Sequence, residues 1–167
     1  MAYGNSVKTE DFSVVYSGET YPLGSCRVQP AAEVTDADAS LVGDRVWMFV
    51  QADANGFLAN DLLKRAVNSR SYAASKSPAA ADTELINLIG VAGHAIAANQ
   101  YGWIIVKGEC VVKTAGVAAG NNITSSGVTA GTGIPASGGA TDSFAVFGRA
   151  LTATNGDGLS DAYVDFR

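Results

Sequence analysis

Residues 103–114 read WIIVKGECVVKT, and this run constrains the chain more than any other. Ile104, Val106, Gly108, Cys110 and Val112 share one parity. Trp103, Ile105, Lys107, Glu109, Val111 and Lys113 share the other, where apolar and charged side chains mix. Period 2 over twelve positions specifies a β-strand with one dry face and one partly wet face. A single strand cannot bury its own dry face, so the rest of the chain must supply partners.

Several segments can. RVWMFVQA, residues 45–52, puts Val46, Met48, Val50 and Ala52 on one side and Trp47 and Phe49 on the other, which predicts a strand covered on both faces. SFAVFGRALTAT and LSDAYVDFR flank NGDG at residues 155–158 and predict a C-terminal β-hairpin. Residues 122–126 predict a short strand. Residues 60–67, NDLLKRAV, admit a capped helix or a strand with nearly equal merit. In residues 83–102, Gly90 and Gly93 weaken a helix and favour a strand bent at its glycines. FLANDLL, AIAANQY and VAAGNNI share a pattern around Asn60, Asn99 and Asn121. The shared pattern predicts one recurring tight turn in which Asn adopts left-handed backbone, with too little similarity for a tandem repeat.

The fold class expected is therefore mainly β: a small single-domain barrel or sandwich with Gly/Ala-rich turns. Hydrophobic residues form 47% of the chain and charged residues 16%, the balance of a folded protein. On this reading the glycine-rich stretch at 116–140 is a set of surface turns, although few side chains in 127–139 can bury apolar area. Residues 1–24 form either an extended arm that adds an edge strand to a partner through Phe12, Val14 and Tyr16, or the first strand of the domain spanning 25–167. The arm is the favoured alternative.

Chemistry is sparse. His94 is the sole histidine, which excludes a multi-histidine metal centre and leaves a satisfied core or interface residue as the economical reading. Cys26 and Cys110 have neither zinc nor redox spacing; Cys110 falls in the strand core and Cys26 is the more exposed candidate. No nucleophile elbow, Walker loop or dinucleotide fingerprint occurs. Asp36 and Asp38 form one small acidic cluster. Asn155, Asp157 and Asp161 resemble a calcium loop only loosely, because Leu159 and Ser160 occupy positions a ligand and a glycine would need. A hairpin turn accounts for them more simply. No catalytic, cofactor or metal residue is assigned. The net charge of −5, with no basic cluster, argues against nucleic acid, and no apolar run is long enough to span a bilayer. Trp47, Trp103, Tyr101 and Tyr163 fit either carbohydrate platforms or core and interface anchors.

YGWIIVKGECVVKT at 101–114, VAAGNNITSS at 117–126, ATDSFAVFGRAL at 140–151 and the ending DAYVDFR together resemble small virion structural proteins of tailed phages, with GDRVWMFVQA and FLANDLL as the preceding elements. The resemblance covers residues 40–167. Asn60 and Asn99 depart from it, standing where glycine is common. It implies a non-enzymatic capsid decoration or head cement protein on the capsid exterior, bound to the major capsid protein and trimeric, with dimer and monomer as the alternatives. A carbohydrate-binding module and a tail or baseplate component are the competing functions.

Overall fold

The computed structural model describes residues 11–34, 43–66, 72–76, 87–126, 129–136 and 146–166. Within them lie ten strands: β1 (Cys26–Gln29), β2 (Arg45–Ala52), β3 (Leu62–Arg65), β4 (Ala73–Lys76), β5 (Leu88–Val91), β6 (Tyr101–Lys113), β7 (Asn122–Ser125), β8 (Gly133–Pro135), β9 (Gly148–Ala150) and β10 (Leu159–Asp165). The fold is mainly β, as the alternation predicts. Within the 60–67 segment, Leu62–Arg65 form strand β3 rather than a helix, and residue 67 lies outside the described residues. Of the strand expected through INLIGVAGHAI, residues 86–96, only Leu88–Val91 form a strand, β5, which stops before Gly93, and residue 86 lies outside the described residues. The short strand at 122–126 is β7.

The hydrogen-bonded order β2–β4–β3–β5–β6 closes on itself, because β6 also pairs with β2; β1 adds to the outer edge of β2. This is a five-stranded barrel. Its interior is filled by Met48, Val50, Leu63, Ala74, Ile89, Ile104 and Val106, at least one from every strand, with Phe57 and Ile96 beside them. Beyond Lys107, β6 leaves β2 and pairs instead with β10, and the order runs on through β9, β7 and β8. A parallel bridge between Thr114 and Gly133 returns β8 to the end of β6, and the Ala115 amide donates to the Gly133 carbonyl at 2.9 Å. A second ring of five strands is thereby closed, and β6 belongs to both.

The two rings repeat one topology in chain order, β2 to β6 and then β6 to β10. Registers match pair by pair. Trp47, Met48 and Val50 face Ile105, Ile104 and Gly102; Glu109, Cys110 and Val112 face Tyr163, Ala162 and Ser160. Leu62 pairs Val91 as Asn122 pairs Arg149, and Leu63 pairs Lys76 as Ile123 pairs Pro135. Both parallel contacts, β2 with β4 and β6 with β8, fall at the same place. Burial follows suit: Cys110, Val112, Val117, Ile123, Phe147, Ala150, Ala162 and Val164 fill the second ring.

The recurring turn belongs to this repeat. Asn60 and Asn99 hold left-handed backbone at φ 68° and 60°, as the pattern predicts. In the third copy that role falls on Gly120, at φ 83°, one residue before Asn121. Each turn closes in the same way, through Asp61 N–H to Leu58 C=O, Gln100 N–H to Ala97 C=O and Asn121 N–H to Ala118 C=O. Asn60 N–H reaches Ala92 C=O at 2.7 Å, and Gly120 N–H reaches Ala150 C=O at 2.8 Å, which are equivalent positions in the two rings. Only Asn and Gly tolerate left-handed backbone cheaply, and that accounts for their placement.

One strand serves two rings because it changes faces. Val46 pairs Lys107 and Trp47 pairs Ile105, so Val106 is a bulged residue with no partner across the ladder. Before the bulge the even residues Ile104 and Val106 enter the first barrel; after it Cys110 and Val112 enter the second. The single dry parity expected of 103–114 is thus divided between two cores. Gly108 follows the bulge at φ 115°, and a Cβ there would lie 2.6 Å from the Asp44 carbonyl oxygen. Arg45, only 4% exposed, donates from Nε to the Glu109 carbonyl at 2.6 Å and fastens the start of β2 beyond the bulge.

Residues 1–10 of the N-terminal segment lie outside the described residues. Phe12 stacks on Trp47 at 4.9 Å between ring centroids and meets Trp103 edge-on at 5.6 Å. Tyr21 packs on Phe49 and Trp103, and Tyr16 exchanges two main-chain hydrogen bonds with Tyr101. Val14 stays exposed. Residues 12–23 therefore roof the outer face of the first barrel and contribute core packing, each aromatic pair adding about 0.5–1.5 kcal/mol beyond its buried area. Gly108→Val should lower stability by at least about 2 kcal/mol, from backbone strain plus the carbonyl clash. A urea midpoint unchanged from wild type would refute the role given to the bulge.

Candidate interaction surfaces

The aromatic side chains sort by position in the rings. Trp103 is fully buried and Trp47 is 6% exposed, with its Nε1 donating to Gln29 Oε1 at 2.9 Å. Both indoles are core residues, and the stacking-platform alternative fails for them. Tyr101 is half-buried at the edge of the same cluster. Tyr163 is the exception, 40% exposed on the outer face of the second ring. Sequence parity predicts its outward direction, since Ala162 and Val164 point inward.

The remaining candidate residues are absorbed by structure. Asn155 Oδ1 accepts the Asp157 and Leu159 amides, each at 3.0 Å, so it is committed to the NGDG turn. Among the described residues no group of three His, Cys, Asp or Glu side chains could hold a metal ion. Asp36 and Asp38 lie outside the described residues. Cys110 is buried and Cys26 is exposed on β1, as the pattern predicts. Sequence reading missed Asp61. Its side chain is 1% exposed, accepts the Leu58 amide at 2.9 Å and pairs with Lys76 at 3.2 Å and Lys113 at 3.7 Å. The loop at Gly131 packs directly over its carboxylate, and Gly131 C=O accepts the Leu62 amide. Asp61 thus ties the first ring to the second. Its sequence context, the residue after a left-handed Asn, signals only a turn.

Two surfaces stand out among the described residues. The first is a rim of turns at one end of the first barrel. Phe57 and Ile96 bridge there, and Leu58, Ala59, Ala97 and Ala98 stand exposed around them. Leu58 is 60% exposed, and the four side chains carry no charge in a chain of net −5. The second surface is the outer face of β6, β10 and β9, where Glu109, Tyr163 and Arg149 lie side by side in register. Lys107 and Asp165 form an ion pair of 2.6 Å at its margin.

His94 is half-buried beside Gly102, and its Nε2 has no hydrogen-bond partner among the described residues, contrary to the satisfied histidine expected. Burial holds its pKa below the ordinary value, opposed by the negative charge of Asp11. The unfolded chain then binds a proton more readily than the folded one. Stability is full above the unfolded pKa of about 6.5 and falls as pH drops below it. The melting temperature should decline from pH 7.5 to 5.5 and do so less in His94→Gln; parallel profiles would refute the assignment.

No family model and no curated protein matches the chain. Among solved structures, the crystal structure of the head fiber gp8.5 N base in bacteriophage phi29 is similar, with a TM-score of 0.50 and 16% identity. The match covers 73% of this chain and 95% of that one, and the likeness is one of fold.

Proposed function

We propose that this chain is a non-enzymatic structural protein of a phage virion, a capsid decoration or cement subunit that binds the major capsid protein on the head exterior. The observation that carries the reading is the fold shared with a head fiber base across 95% of that base. The chain's own chemistry supports it. The indoles that a glycan module would present are inside the core, and Asn155 and Asp61 are engaged in a turn and a strand junction. A subunit of this kind needs rigidity and contact surface. Two closed rings on one strand supply the first, and exposed apolar turns rigidly held by main-chain hydrogen bonds supply the second.

The charge-free rim around Leu58 is the capsid contact in this reading. Interface cores are depleted in charge and built on apolar anchors, and the rim has both properties. The subunit works as a homo-oligomer, a trimer at a symmetry axis of the shell. Mass spectrometry of washed virions should find the protein on mature heads. Leu58→Asp should weaken its binding to heads at least tenfold while its melting temperature stays within a few degrees of wild type. Absence from particles would refute the virion assignment, and presence on tails alone would refute the decoration role.

A further inference from the structure

The sequence contains two Asn-Gly pairs, Asn55–Gly56 and Asn155–Gly156, and the fold treats them oppositely. Such a pair can cyclise when the glycine amide nitrogen attacks the side-chain carbonyl carbon of asparagine, an approach that a Cβ on the second residue would crowd. Three conditions favour the reaction in a folded chain. The nitrogen is free of hydrogen bonds, the pair is reachable by water, and the carbonyl oxygen finds donors as it becomes an oxyanion. At Asn55 the first two fail. The Gly56 amide donates to the Asp53 carbonyl at 3.2 Å, and Gly56 is buried, with the Ile96 carbonyl oxygen 2.7 Å from where a Cβ would lie. At Asn155 all three are met. Asn155 and Gly156 are exposed, a Cβ on Gly156 would meet nothing within 4 Å, and the Gly156 amide makes no hydrogen bond among the described residues. Asn155 Oδ1 accepts the main-chain amides of Asp157 and Leu159, each at 3.0 Å. Two such donors on one carbonyl oxygen, within about 2.7–3.1 Å, are the arrangement of an oxyanion hole. They polarise the carbonyl before attack and bond more strongly as negative charge develops on the oxygen.

We infer that Asn155 is a site of spontaneous backbone modification, a succinimide-forming residue activated by the turn that holds it. The Gly156 nitrogen forms a bond to Asn155 Cγ. The bond from Cγ to the side-chain nitrogen breaks, and the Gly156 amide proton passes through water to that nitrogen, which leaves as ammonia. Water then opens the five-membered ring at one of its two carbonyls. One product is aspartate; the other is isoaspartate, whose main chain runs through the former side chain. Water is the sole co-reactant. The consequence falls on the second ring, because this turn leads directly into β10, which pairs with β6 along its whole length. The turn is closed by Asn155 N–H to Leu159 C=O at 2.9 Å and by Gly158 N–H to Asn155 C=O at 3.1 Å. The second of these bonds also occupies the amide that Asp157 would need for the same cyclisation. Aspartate at 155 keeps an acceptor for both amides and adds a negative charge to a chain at −5. Isoaspartate inserts one more atom into the main chain between the closing bonds and misaligns them. The hairpin that completes the second ring thus carries a residue that changes with the age of the protein.

This chemistry is independent of the virion reading and is tested on the intact protein. Samples aged in mildly alkaline buffer, folded and in concentrated urea, are cleaved with trypsin and followed by tandem mass spectrometry. Asn155 is the sole asparagine of its peptide, residues 150–167, and Asn55 lies in another, residues 46–64, so the two pairs are read separately. In urea the two pairs should convert at similar rates. Folding should slow Asn55 by at least about tenfold, whereas Asn155 should convert at least as fast in the folded protein as in urea, with isoaspartate among its products. A folded protein in which Asn155 converts no faster than Asn55, or more slowly than in urea, would overturn the assignment.

Discussion

The bulge at Val106, with Gly108 beyond it, is the constraint on which the rest of the structure depends. A regular strand keeps each parity on one face, so a strand of thirteen residues would present one dry side throughout. Inserting one residue exchanges the faces midway. The outer face of the first barrel and the interior of the second then lie on the same side of β6, and Ile105, Cys110 and Val112 join a single core. Without the exchange, either Trp103 and Ile105 or Cys110 and Val112 would face water. Gly108 is required because its backbone conformation and the nearby Asp44 carbonyl together leave no room for a side chain.

The same shared strand explains how a modest chain closes two rings. Edge strands invite aggregation, and ring closure removes them. β2 and β10 divide β6 end to end, β8 returns to Thr114, and Asp61 with its two lysines holds the junction where the second ring's loop crosses the first. In the second ring Thr114, Thr154 and Ser160 bond one another through their hydroxyls, at 2.7 Å between Thr114 and Ser160. These positions correspond to Ala52, Ile96 and Gly102 in the first, so the repeat keeps the backbone while the chemistry of the interior differs.

The strands and the left-handed asparagines could be read from the sequence because each follows from a local rule: alternation for β2, β6 and β10, and the low cost of positive φ for Asn60 and Asn99. The repeat could not. Gly56 with Gly116, Gly90 with Gly148 and Ala92 with Ala150 are among the few identities between the rings. The interior needs only apolar volume, which Met48 and Cys110, or Leu63 and Ile123, supply equally. Outward positions diverge further, from Trp47 to Glu109, because residues 12–23 roof the first ring. The division of β6 was hidden for a related reason. Residues 102–106 are buried on both faces, so their hydrophobicity conceals the point where the parity changes. The packing of the N-terminal segment is not legible in the sequence, because its glycines, charges and Pro22 argue against a strand, whereas Phe12 and Tyr21 are anchored on the barrel without one.

If β6 makes the two rings one cooperative unit, native-state amide hydrogen exchange reports it directly. The account predicts that amides of Val50 and Ile104 in the first ring and of Val112 and Ala162 in the second exchange through the same global opening, with equal free energies and equal denaturant dependence. Two protection classes that divide at Gly108, one ring opening while the other stays closed, would contradict it.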